Sequence, residues 1–250
     1  MKKLMAANWK MYKTMQEARL TARELTERVG TLPVDREVLI FPPFTALCTT
    51  RESLHGAEGF SMGGQDVYPA AEGAFTGEIS PAMLRDAGCA WVLTGHSERR
   101  HVLGEADALV GEKTAFSLGA GLGVVLCIGE KLEEREAGQL EAVLARQMDA
   151  GLAGVAADVD AARIAIAYEP VWAIGTGKVA GPAEIVAAHA LVRRLLVSRF
   201  GEKGNAIRIL YGGSVKPDNA SEIIGLDNVD GVLVGGASLQ AESFSRIIKA

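Results

Sequence analysis

A closed (β/α)8 barrel is the fold that this sequence predicts, on three observations. Short apolar runs recur along all 250 residues, helical segments with recognisable ends lie between them, and no linker or compositional break divides the chain. Roughly 250 residues is the usual length of an eight-fold α/β barrel. An open doubly wound sheet is the competing arrangement. It would carry a glycine-rich dinucleotide turn after an early strand, and none is present. The expected organisation is one barrel domain over residues 1–250.

The apolar runs are LMAA (4–7), VLIF (38–41), FSMGG (60–64), WVLTG (91–95), VVLCIG (124–129), IAIAY (164–168), IRILYGG (207–213) and VLVGG (232–236). Each is continuous rather than alternating, as in parallel strands covered on both faces. Between them, Thr14 and Glu17 have capping-box spacing, and Ala18, Ala22, Leu25 and Val29 mark one helical face before Gly30. Ser80-Pro81 reads as an N-cap and first-turn proline, with Gly88 closing that helix. Gly181-Pro182 opens another, carrying Ile185, Ala188, Val192 and Leu196, and a last helix is expected near 242–249.

Composition narrows the function. At 48% hydrophobic the chain can bury a large core, and its net charge of −5 argues against a nucleic-acid partner. An anionic substrate remains compatible, because a few amides and one lysine suffice locally. Cys48, Cys89 and Cys127 show neither metal spacing nor a CxxC pair, which points to core thiols in a reducing compartment. No run is long enough to span a bilayer, and the first residues turn polar at Asn8 and Lys10, too soon for a signal peptide. A soluble, cytoplasmic protein without membrane or nucleic-acid partners is expected.

Active sites of such barrels lie where the strands end. Run one ends in Asn8-Trp9-Lys10, run three in Gln65-Asp66, run four in His96-Ser97-Glu98, run five in Glu130 and run six in Glu169-Pro170. Runs seven and eight end in Gly212-Gly213-Ser214 and Gly235-Gly236. Either glycine pair alone reads as a tight turn; two pairs after strands seven and eight suggest a phosphate cradle. A lone histidine is usually a packing residue. His96, however, precedes a helix start, where a neutral ring able to donate a hydrogen bond is favoured. His55, His101 and His189 lack that setting and read as structural. Glu169 precedes a loop mixing Val171, Trp172 and Ile174 with Gly175 and Gly177, which suggests a lid over a carboxylate base. An isolated surface lysine is mostly solvated; Lys10 beside Asn8 could face a substrate anion and a developing oxyanion.

Together, NWK (8–10), GAFTGEIS (73–80), GHSERR (95–100), CIGE (127–130), AYEPVWAIGTGK (167–178), YGGSV (211–215) and VGGASL (234–239) resemble the signatures of the triosephosphate isomerase family, in the family's order across the chain. The lid segment is the most specific of these. The resemblance implies that Glu169 is the base moving a proton between adjacent carbons of a triose phosphate. His96 is then the electrophile at the carbonyl, Lys10 the positive charge, Asn8 a substrate-orienting amide and Glu98 a supporting acid. Gly175, Ser214, Gly235 and Gly236 would offer amides or a hydroxyl to the phosphate. Carboxylate base, neutral histidine and closing lid are the established pattern of this family, taken from the resemblance rather than from spacing. No metal or organic cofactor is implied.

The 66–79 loop is too long for a simple connection and carries Tyr68 and Phe75. The resemblance implies that it makes a homodimer, with Thr76 reaching the partner's site; a monomer with an internally packed loop is the alternative. One departure is Val179, where the family often has threonine, and it bears on the lid hinge. A phosphate-binding barrel of amino-acid biosynthesis would share the glycine pairs without needing Glu169, His96 and Lys10 together. A non-catalytic binding barrel would be favoured by loss of one of these residues, and none is lost.

Overall fold

The computed structural model describes residues 1–173 and 180–250. Every apolar run forms a strand: β1 (Lys3–Asn8), β2 (Arg36–Phe41), β3 (Phe60–Gly64), β4 (Trp91–Thr94), β5 (Gly123–Ile128), β6 (Ile164–Tyr168), β7 (Arg208–Tyr211) and β8 (Gly231–Val234). They close in sequence order into an eight-stranded barrel, each pair parallel. β1 completes the ring against β8, with Ala7 opposite Val234.

The runs are continuous because each strand buries both faces. One set of positions fills the barrel: Leu4 and Ala6, Leu39 and Phe41, Leu93, Val125 and Cys127, Ala165 and Ala167, Leu210 and Leu233. The alternate set, including Met5, Ala7, Val38, Ile40, Val124, Leu126 and Ile166, packs under the surrounding helices. This two-residue alternation aims the strand ends. Continued to the last residue of β1 and one residue past β6, β7 and β8, the inward set reaches Asn8, Glu169, Gly212 and Gly235, all of which line one cleft at the barrel mouth. The opposite mouth is shut by Arg208, whose guanidinium lies 5.3 Å from the Trp91 ring centroid and pairs with Glu37 at 2.6 Å.

The helix ends follow their local chemistry. Thr14 and Glu17 form the expected capping box on the helix Met15–Val29, and Ala18, Ala22, Leu25 and Val29 are its buried face. Ser80 caps Pro81–Asp86 by accepting the Met83 N–H. Pro182–Phe200 starts after Gly181 and buries Ile185, Ala188, Val192 and Leu196, and the last helix spans Ala241–Lys249. Gly88 lies two residues beyond the end of Pro81–Asp86, at φ 92°. Gly175 and Val179, and with them the lid reading, lie outside the described residues.

Candidate active site

The cleft at the C-terminal mouth encloses about 390 Å³ and gathers Asn8, Lys10, His96, Glu169, Ser214, Gly235 and Gly236. Lys10 stands on a left-handed backbone, φ 53°, which costs a residue with a Cβ about 1–2 kcal/mol. Neighbours hold it there: Asn8 Oδ1 accepts the Lys10 N–H at 2.9 Å, and Gln65 Nε2 donates to the Lys10 carbonyl at 2.8 Å. Asn8 thus has a backbone-fixing role besides facing the cleft. Gly235 lets the lysine cross, since a Cβ there would lie 3.2 Å from Lys10 Cε.

His96 reaches the cleft through a break in strand alternation. Gly95 turns at φ 66°, and His96 becomes the N-cap of the short helix Ser97–His101. Its Nδ1 accepts the Glu98 N–H at 3.3 Å, so a proton on the ring sits on Nε2, 3.0 Å from Glu169 Oε1. Glu169 is also held by the Ser97 N–H at 2.8 Å. Both groups are almost fully buried. Burial pulls the imidazole pKa down, but the Glu169 carboxylate outweighs it and leaves the value raised. Burial pushes the Glu169 pKa up, yet His96, the Ser97 N–H and Lys10 together hold it below the ordinary carboxylate value. The expectation of a neutral His96 is therefore conditional. Without the Glu169 contact, burial, Lys10 and the helix N-terminus favour the neutral ring, and Glu98 alone among the neighbouring charges opposes them.

Glu98 does not line the cleft. Its Oε1 pairs with Lys10 Nζ at 2.6 Å, whereas its Oε2 stands 3.7 Å from His96 Nδ1. It meets the lysine more closely than the histidine. Glu130, a strand-end carboxylate, turns away from the cleft altogether. It is buried and accepts from the Tyr168 hydroxyl at 3.0 Å and from Trp172 Nε1 at 2.8 Å, anchoring the chain just before residue 174. Asp66 joins Lys113, Glu105 and Arg99 in a buried ion cluster below the 66–79 loop. His189 is packed near Tyr168 and Tyr211, its Nδ1 2.9 Å from the Asn228 carbonyl and its pKa lowered to about 4 by burial.

Sequence reasoning missed several contributors. Ser97 supplies the amide that parks Glu169, and Cys127 lies under that carboxylate, its thiol pKa pushed up first by burial and then by Glu169. Gly212 makes room for Glu169 itself: a Cβ there would fall 2.9 Å from Glu169 Cγ. Tyr12 and Lys216 also line the cleft. Strand alternation could have found Cys127 and Gly212; nothing in the sequence marks the Ser97 amide.

A barrel whose mouth sets an ionised carboxylate against a histidine Nε2–H, beside a lysine and open glycine turns, is an enzyme built for moving protons on an anionic substrate. The triosephosphate isomerase family model matches residues 3–250. A triosephosphate isomerase of Nitratidesulfovibrio vulgaris (strain DSM 19637 / Miyazaki F) is 74% identical over the full length of both chains. One of Oleidesulfovibrio alaskensis is 68% identical, again over the full length of both. One of Lawsonia intracellularis is 51% identical over all of this chain and 98% of its own. The chain belongs to the triosephosphate isomerase family.

Proposed function

We propose that the chain interconverts dihydroxyacetone phosphate and D-glyceraldehyde 3-phosphate through an enediolate, a step of glycolysis and gluconeogenesis. The observation that carries this reading is the 3.0 Å approach of His96 Nε2 to Glu169 Oε1, in the cleft that also holds Lys10 and the glycine turns.

With substrate bound, Glu169 leaves the Ser97 amide and takes the proton from C1 of the ketose. The C–H electron pair becomes the C1–C2 double bond, and the carbonyl pair moves onto O2, where His96 donates from Nε2. His96 relays the O1 proton to O2 while Glu169 delivers the proton taken from C1 to C2, the C1–O1 bond becomes the carbonyl, and the aldose results. Lys10 stabilises the anionic oxygen and the phosphate, and Asn8 orients the substrate. Glu98 acts through Lys10, fixing its position at the cost of part of its charge. Amides at Ser214, Gly235 and Gly236 receive the phosphate; Gly175, in the proposed lid, would add a fourth on closure.

The working unit we propose is a homodimer of single-domain barrels joined through the 66–79 loop. Residues 71–78 are all exposed, and Phe75 is 41% exposed while leaning on Tyr68 at 4.3 Å between ring centroids. Met11, next to the catalytic lysine, is 94% exposed, an apolar surface that a partner loop carrying Thr76 would cover. The proposed compartment is the cytoplasm, in keeping with three free cysteines. Among the described residues no helix is long and apolar enough to cross a membrane.

The test is a coupled assay in both directions with wild type and Glu169→Ala. Wild type should interconvert the two triose phosphates, and the variant should fold normally but lose roughly 10²–10⁴-fold in kcat. Absence of interconversion, or a variant with wild-type kcat, would overturn the reading.

A further inference from the structure

The cleft has a cation that the proposed mechanism does not use. Five titratable side chains line it: Lys10, Tyr12, His96, Glu169 and Lys216, of which only the two lysines and the histidine can carry positive charge. Lys10 is neutralised by Glu98 at 2.6 Å, and Glu169 is matched to His96 and the Ser97 amide. No described residue forms an ion pair with Lys216. The nearest acid in sequence, Asp218, is instead engaged by Arg246 at 3.0 Å. Lys216 is exposed, yet its backbone is braced. Asn219 Oδ1 accepts the Lys216 N–H at 2.7 Å, and Asn219 Nδ2 donates to the Ser214 carbonyl at 3.2 Å. The turn that presents Lys216 is therefore tied to Ser214, at the phosphate end of the cleft.

An exposed lysine ordinarily contributes little, because water and salt screen it. Three things distinguish this one: its place in the substrate cleft, the lack of a counter-ion among the described residues, and a turn that limits its wandering. The protein is acidic overall, at a net charge of −5, so a phosphate dianion approaches against a repulsive far field. A free cation at the mouth reverses that field locally. We propose that Lys216 is a specificity-determining residue that draws the phosphate dianion into the Ser214 turn and favours phosphorylated over uncharged trioses, without a part in proton transfer. The proposal rests on the isomerase reading above.

The experiment uses full-length wild type, Lys216→Gln and Lys216→Arg. kcat and KM for D-glyceraldehyde 3-phosphate are measured over a range of ionic strength, and inorganic phosphate is titrated in by NMR. One lost charge near a dianion should raise KM and the phosphate dissociation constant about five- to tenfold at low salt. The decline of kcat/KM with ionic strength should flatten, while kcat changes less than about twofold. Lys216→Arg should restore both the affinity and the salt dependence. A Lys216→Gln enzyme with wild-type phosphate affinity and salt dependence would overturn the proposal. So would a loss that Lys216→Arg fails to restore, because that would assign the effect to the turn and not to charge. The NMR titration needs no turnover, so it separates failure of this proposal from failure of the isomerase reading.

Discussion

Gly212→Ala tests how tightly the fold positions the base. The added Cβ would lie 2.9 Å from Glu169 Cγ and 3.2 Å from the Tyr168 carbonyl oxygen. Carbon atoms settle at about 3.5–4.0 Å, so the Glu169 side chain must retreat by roughly 0.6–1 Å. Gly212 is not in the left-handed region, so its φ adds no strain, and the Tyr168 carbonyl, which accepts the Gly212 N–H at 2.8 Å, has to give by only a few tenths of an ångström. A displacement near 1 Å between reacting groups costs about 10²-fold in rate, or roughly 2.7 kcal/mol. Overpacking lowers stability by about 1–3 kcal/mol, partly offset because alanine restricts the unfolded chain. Steady-state kinetics in the glyceraldehyde 3-phosphate direction should thus show kcat down about a hundredfold with KM little moved. Gly236→Ala is the control: a Cβ there meets nothing within 4 Å, so only KM should respond, through blocked phosphate approach. If Gly212→Ala kept kcat within about threefold of wild type, the claim that this glycine sets the position of the base would fail.

Further outcomes follow from the same geometry. Glu169→Gln removes the main group that raises the His96 pKa and leaves burial and Lys10 opposed by Glu98 alone, so the ring pKa should fall from its wild-type value; ¹⁵N NMR showing an unchanged or higher pKa would refute this. Lys113→Met leaves the buried carboxylates of Asp66 and Glu105 with Arg99 as their one remaining cation in the cluster and should cost about 3–5 kcal/mol at neutral pH, read from urea unfolding. Burial already raises the Asp66 pKa and Lys113 opposes that rise, so in the variant Asp66 should bind a proton more readily folded than unfolded and the loss should shrink as pH falls; a pH-independent loss would count against the ion cluster. Shortening the loop around Phe75 should give monomers of sharply reduced activity, and sedimentation of a fully active monomer would refute the dimer. Excising residues 174–177 should cost on the order of 10³-fold in rate and release methylglyoxal with inorganic phosphate; native isomerisation without extra methylglyoxal would refute the lid.

The strands were legible because each is buried on both faces, so hydropathy alone marks VLIF and IAIAY. Helix starts were legible because capping chemistry is local, as at Thr14 and Ser80. Side-chain direction at the strand ends was harder to read. Glu169 continues the inward set Ala165 and Ala167, whereas Glu130 falls one residue out of step with Val125 and Cys127, so similar strand-end glutamates diverge. His96 breaks the alternation through the Gly95 turn, which no periodicity reports. Asn8 braces the Lys10 backbone locally, but the Gln65 bond that completes the brace and the Lys10–Glu98 pair are contacts 55 and 88 residues apart, beyond any local rule.

The alternation that fills the barrel also makes catalysis a sensor of register. Side chains repeat every two residues, so a one-residue slip of β6 against β5 and β7 would turn Ala165 and Ala167 outward and carry Glu169 out of the cleft in the same movement. A slipped β1 would likewise withdraw Asn8 and bring Trp9 toward the axis. Compact chains with a misaligned strand would keep their helices and much of their burial, and spectroscopy would score them as folded. They would turn over nothing. Recovery of isomerase activity after dilution from denaturant should therefore lag recovery of helical circular dichroism by the time needed to correct strand alignment.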